Sequence, residues 1–208
     1  MVVAAIVALI PVVIVFYILP QTSDNQLQEE KDLNGYIYID PERAPDFTLI
    51  DQDGEIFTLS NTGTNLSLIF FGYAHCPDAC PTAVIKYRWV QEHLGEDRDR
   101  VNFIFITVDP ERDDPETLKK YIENVRLDMK YLTGDEADLQ PVWENYGIFH
   151  EKRPFPEAEG NLSQTKNYLV DHTSLIFIID KEMNLREAFA LHSSSEELLD
   201  DVKFLLEE

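Results

Sequence analysis

Apolar residues come in short runs along this chain, and their spacing changes from one run to the next. The first run, residues 2–20, carries no charged side chain. It is long enough to cross a bilayer as one helix, and Pro11 would kink such a helix without forbidding the span. A cleaved leader would show a basic start and a small-residue cleavage site, and neither is evident. Residues 1–20 are therefore expected to be a membrane anchor and 21–44, which are polar, a tether. The folded body is expected over 45–208.

Within that body, alternating runs flank Asp53-Gly54, the pattern of a hairpin. Residues 67–73 form a continuous apolar run, predicting a buried strand. Helical periodicity runs from Thr82 to Leu94 and stops at Gly95. A second buried strand is predicted over 101–109, and Pro115 opens a helix at a position where proline is tolerated. Residues 135–147 form a further helix candidate, weakened by Pro141. Residues 148–167, with Pro154, Pro156 and Gly160, form a long polar loop of a length that often carries function. Apolar runs over 174–180 and 185–191 make a second hairpin. An amphipathic helix with a serine cap closes the chain. This order predicts an α/β fold with a central mixed sheet flanked by helices and an N-terminal hairpin, compatible with a thioredoxin-like arrangement.

Composition adds an unusual charge to this picture. The chain has 208 residues, 39 of them acidic and 17 basic, for a formal net charge of −22. Such a surface repels phosphate backbones, so no nucleic-acid partner is expected, and it disfavours lying flat on anionic lipid. It solvates the body, or it attracts cations or a basic partner face. Two sequons occur, at Asn65 and Asn161; Ser67 of the first begins a buried strand, which leaves only Asn161 as a plausible acceptor.

The chemistry concentrates in the two cysteines of the chain, Cys76 and Cys80, at the junction of a buried strand and a helix. If residues 76–80 were helical, the two sulfurs would share one face about one turn apart. A helix N-terminus favours thiolate, the form that attacks disulfides and binds metal. A purely structural bridge here would close too short a loop to add much stability. Zinc normally requires four ligands, whereas soft thiolates suit Cu(I), for which imidazole is a natural third ligand. Of the five histidines, His75 adjoins the motif but should point away from Cys76, and His93 is expected on a solvated helix face. His150 and His192 suggest no specific role. His172 immediately precedes the strand expected beside the one leading into the cysteines. Position alone leaves it either a structural histidine or a ligand.

Three stretches, GYAHCPDACPT (72–82), TVDPERDDPETLKKY (107–121) and VDHTSLIFIID (170–180), resemble the Sco/SenC/PrrC family, copper chaperones of cytochrome c oxidase assembly. The resemblance extends from about Ala44 to the C-terminus; Ala74 and Ala79 replace residues common in relatives, at positions not expected to touch copper. It implies a thioredoxin-like domain on the extracytoplasmic side of the cell membrane, held by a single-pass helix. One copper, Cu(I) or Cu(II), would be bound by Cys76, Cys80 and His172, and Asp171 is a candidate to orient the His172 ring. The implied partner is cytochrome c oxidase subunit II, whose copper A centre would receive the metal, together with an upstream copper donor or thiol reductant. Such a metallochaperone is not an enzyme. The alternative the family allows is a thiol–disulfide oxidoreductase using Cys76 and Cys80 as its redox pair. The CxxxC spacing, in place of CxxC, and Thr173, where thioredoxins place a cis-proline, both favour copper. A peroxiredoxin is disfavoured because the Pro-x-x-x-Thr-x-x-Cys motif is missing.

Overall fold

The computed structural model describes residues 33–37, 43–154 and 168–208. The expected anchor, most of the tether and Asn161 lie outside these residues. No helix among the described residues is long and apolar enough to cross a membrane.

The fold is built around β4 (Leu66–Gly72), every residue of which is buried. It runs parallel to β5 (Val101–Thr107) on one side and antiparallel to β9 (Leu175–Asp180) on the other. A strand covered on both faces needs a continuous apolar run, which is why Leu66–Gly72 shows no alternation. The full sheet has eight strands. Beyond β5 come β6 (Lys130–Thr133) and the hairpin of β2 (Thr48–Asp51) and β3 (Ile56–Thr58). Beyond β9 come β10 (Leu185–Ala190) and the short β1 (Tyr36–Ile37). Both hairpins expected from the sequence are present. Gly54 supplies the positive φ of one turn, and Met183, at φ 67°, supplies that of the other.

Helix α1 (Ala79–His93) follows β4 and packs on the sheet through Ala83, Val84, Tyr87 and Val90. The Tyr87 hydroxyl donates to the Leu68 carbonyl at 2.9 Å, tying helix to sheet. Gly95, at φ 59°, ends the helical run where the sequence indicates. Helix α2 (Pro115–Val125) starts on an Asp114 cap that accepts the Thr117 N–H at 2.8 Å. Helix α3 (Glu136–Asn145) forms despite Pro141, burying Leu139, Val142 and Trp143. The Trp143 indole donates to the Thr107 carbonyl at 3.0 Å. Helix α4 (Ser195–Glu207) opens on a full capping box between Ser194 and Glu197 and packs beside α1. The β4–α1–β5 crossover followed by β9–β10–α4 makes this the thioredoxin-like fold that the sequence predicts.

Two expectations need correction. The polar loop at 148–167 begins as a strand, β7 (His150–Pro154), paired antiparallel with β8 (Tyr168–His172) as a separate two-stranded arm. All the side chains of β7 are polar or proline and most are exposed, so no apolar alternation marks the strand. Its register comes from β8, whose Tyr168 and Val170 are buried. The tether expected over 21–44 also yields its last residues to the body. Tyr36–Ile37 pair with β10, Asn34 donates to the Asp201 carboxylate, and Ala44 is buried.

Candidate metal centre

The parallel strand β4 ends at Gly72, and the chain turns sharply into the cysteine segment. A Cβ at Gly72 would stand 2.6 Å from the Cys80 sulfur and from the Phe105 ring, so only glycine lets the sulfur lie this close to the backbone. The next amide, that of Tyr73, donates to Cys80 Sγ at 3.4 Å. The Cys76 N–H closes a turn onto the Tyr73 carbonyl.

Residues 76–80 are not one helical turn. Cys76 lies ahead of α1, and Asp78, at the N-cap position, makes no capping bond with its side chain. The Cys80 N–H instead donates to Cys76 Sγ at 3.4 Å. The two sulfurs meet because one of them serves the open helix end, and this differs from the one-face geometry expected from the spacing.

The pair is electrostatically split. The Cys76 thiol is drawn down to about 4, chiefly by the hydrogen bond from the Cys80 thiol. Burial opposes this shift, while the Cys80 and Asp78 amides reinforce it. The Cys80 thiol is pushed well up, first by burial and then by the negative charge on Cys76. The metal-free, reduced site thus holds one thiolate and one thiol that donates to it.

His172 comes from the end of β8, and its Nε2 stands 3.7 Å from Cys80 Sγ. Its Nδ1 is 2.9 Å from the Thr173 carbonyl, which can only accept. In the neutral ring the proton therefore sits on Nδ1, and the Nε2 lone pair faces the sulfurs. The ring is held edge-on by Phe70 and Tyr73, each with its centroid 5.9 Å away. Ligand atoms of Cys76, Cys80 and His172 all lie within 4.8 Å of one another, the only such cluster of three among the described residues. They border an open pocket of about 340 Å³ that Pro77, Arg153 and Asp171 also line.

Asp171 does not orient the ring. Neighbouring residues in a strand point to opposite faces, and Asp171 turns away from His172 to pair with Arg153 at 2.9 Å. The Thr173 carbonyl does the orienting instead. The other histidines lie apart from the cluster. His75 faces the buried Asp113 at 3.8 Å, His93 stacks on Trp89, and His150 packs against Trp143.

Several contributing residues carried no legible signal. Asp113 is fully buried, and its carboxyl is raised to about 6 by burial. One oxygen accepts the Ala74 N–H at 3.0 Å and the hydroxyls of Thr107 and Tyr131, fixing the start of the cysteine segment.

The SCO1/SenC family model matches residues 39–207. A SCO2-like protein of Rickettsia prowazekii is 37% identical over 154 residues, covering 74% of this chain and 72% of its own length. The copper-bound structure of ScoI from Bradyrhizobium japonicum is 36% identical, with a TM-score of 0.69, covering 79% of this chain and 99% of that one. Copper-bound yeast Sco1 is 27% identical with a TM-score of 0.69, covering 81% and 90%.

Proposed function

This chain belongs to the SCO1/SenC family, and we propose that it is a copper chaperone for cytochrome c oxidase assembly. The observation that carries this reading is the convergence of two sulfurs and one imidazole nitrogen within 4.8 Å. Two soft donors and one borderline donor suit copper and fall short of the four ligands of a structural zinc site. Solved relatives of the same fold hold copper. In the proposed complex Cys76 binds as the thiolate it already is. Cys80 binds after losing its proton, and His172 binds through Nε2. The metal is cargo, delivered to the copper A centre of oxidase subunit II. The apolar run 2–20 holds the body at the extracytoplasmic face of the cell membrane.

The full-length reduced protein is expected to take up one copper. His172→Ala is expected to weaken that uptake about 10- to 100-fold, the cost of losing a ligand's contribution judged from the milder loss of its supporting partners. His93→Ala should leave it unchanged. Copper binding by His172→Ala with wild-type affinity and spectrum would remove His172 from the ligand set.

The split thiol pair favours one second reading. A thiolate beside a buried thiol is also equipped for thiol–disulfide exchange, so the protein could deliver electrons to the oxidase cysteines. Oxidase assembly at limiting copper and equal protein level separates the two. The chaperone reading expects His172→Ala cells to fail much as Cys76→Ser cells do. Normal assembly in His172→Ala cells alongside failure in Cys76→Ser cells would establish the electron-delivery role.

A further inference from the structure

The arm that carries His172 is not part of the main sheet, so something must hold it over the sulfurs. Arg112, from the segment after β5, makes that connection. Its side chain is only 7% exposed and pairs with the buried Asp109 carboxylate. Its Nη1 donates to the Tyr168 carbonyl at 2.9 Å, and its guanidinium lies 3.7 Å from the centroid of the Tyr168 ring. The Tyr168 hydroxyl returns to Asp109 at 2.6 Å, so Arg112 and Asp109 grip the start of β8 from both ends of one side chain.

The same guanidinium also stands 5.5 Å from the centre of the Tyr73 ring. The Tyr73 hydroxyl accepts the Val170 N–H at 3.1 Å, its ring meets the His172 ring edge-on, and its own N–H donates to Cys80 Sγ. Tyr168, Val170 and His172 alternate along β8, so the bonded backbone groups of Tyr168 and Val170 point to one edge of the arm while the Tyr168 ring and the imidazole share a face. We propose that Arg112 is a positioning residue for copper binding. It clamps β8 through Tyr168 and, with Tyr73, sets the distance between the His172 imidazole and the two sulfurs.

A planar fork is needed to pair with a carboxylate, reach a carbonyl and stack on a ring at once. Lysine can neutralise Asp109 but cannot do the rest, so Arg112→Lys keeps the buried charge balanced while releasing the clamp. The proposal rests on copper being bound at Cys76, Cys80 and His172. The test is therefore run on the full-length protein loaded with Cu(II), alongside wild type and His172→Ala. Pulsed electron paramagnetic resonance reads the imidazole nitrogen, and the thiolate-to-copper absorption reads the sulfurs. In Arg112→Lys the thiolate absorption is expected to persist while the imidazole coupling weakens or disappears, with affinity falling about 10- to 100-fold.

A merely structural arginine would lower thermal stability and leave the coupling at its wild-type value, and that result would overturn the proposal. If Arg112→Lys does not fold, Tyr73→Phe carries the test, because it removes only the hydroxyl that holds Val170. An altered coupling is expected there, and an unchanged one overturns the proposal equally. No imidazole coupling in the wild type, or an undiminished one in His172→Ala, would instead refute the ligand set on which the proposal rests.

Discussion

Asp78 occupies the N-cap position of α1 without capping it, and the Cys76 sulfur receives the Cys80 amide in its place. An ordinary thiol titrates near 9, whereas Cys76 is drawn to about 4. The reduced, metal-free protein should therefore alkylate at Cys76 first, at a rate that holds nearly level from pH 9 to pH 5 and falls through about pH 4. Cys80→Ala removes the largest lowering influence, and its midpoint is expected to rise. An iodoacetamide rate profile for each protein checks this; a wild-type midpoint near 9 would contradict the thiolate assignment. At this scale the sequence was readable where chemistry is rare and obscure where it is shared. Two cysteines and a histidine abutting a buried strand stand out in any chain. Tyr73, Arg112 and Asp113 are ordinary residue types whose roles arise from contacts 39 to 97 positions away in sequence. Asp171 misled for a simple reason: adjacency in sequence, within a strand, means opposite faces.

At the scale of elements, the segment 33–37 behaves as a strap across β10 and α4. Beneath it lie two fully buried carboxyls, Glu187 of β10 and Asp201 of α4. Asn34 donates to both oxygens of Asp201, at 3.1 Å and 2.7 Å. Gly35 lies so close to Glu187 that a Cβ there would meet Oε1 at 2.1 Å. Burial, and then the charge of Asp201, raise Glu187 to about 8. A raised carboxyl in the folded state favours folding while it stays protonated. The contribution is complete below the unfolded value of about 4.3 and is lost as pH rises through about 8. Hydrogen exchange in the strap is accordingly expected to accelerate between about pH 5 and 8 beyond its intrinsic base dependence and to follow that dependence above it, and Glu187→Gln should abolish the excess. Protection that follows only the intrinsic dependence in the wild type would count against a raised Glu187 carboxyl. Neither the strap nor β7 is legible in the sequence, because both are short and specified by their partner strands. The long apolar strands and the two hairpins were evident because burial and turn chemistry are written locally.

For the molecule as a whole, the proposed topology makes a direct demand. With residues 2–20 spanning the membrane and the body outside, protease added to intact cells or spheroplasts should digest everything from Gln21 onward that it can reach. Complete protection of the body behind a sealed membrane would reverse the assignment. The net charge of −22 spread over the chain sets the electrostatic setting in which a basic partner face would be attracted.

The unequal protonation of the two sulfurs has a consequence for how cargo is exchanged. Cys76 already carries its charge at neutral pH, and the His172 nitrogen that faces the Thr173 carbonyl is not the one turned toward the sulfurs. Of the two sulfurs, only that of Cys80 has a proton to surrender. At the sulfurs, loading of the proposed copper then exchanges the Cys80 proton for the metal, and apparent affinity rises with pH over the range in which Cys80 stays a thiol. A chaperone built this way senses its surroundings through the same atom that holds its cargo: local acidity loosens the grip, and a proton donor on the receiving protein favours release.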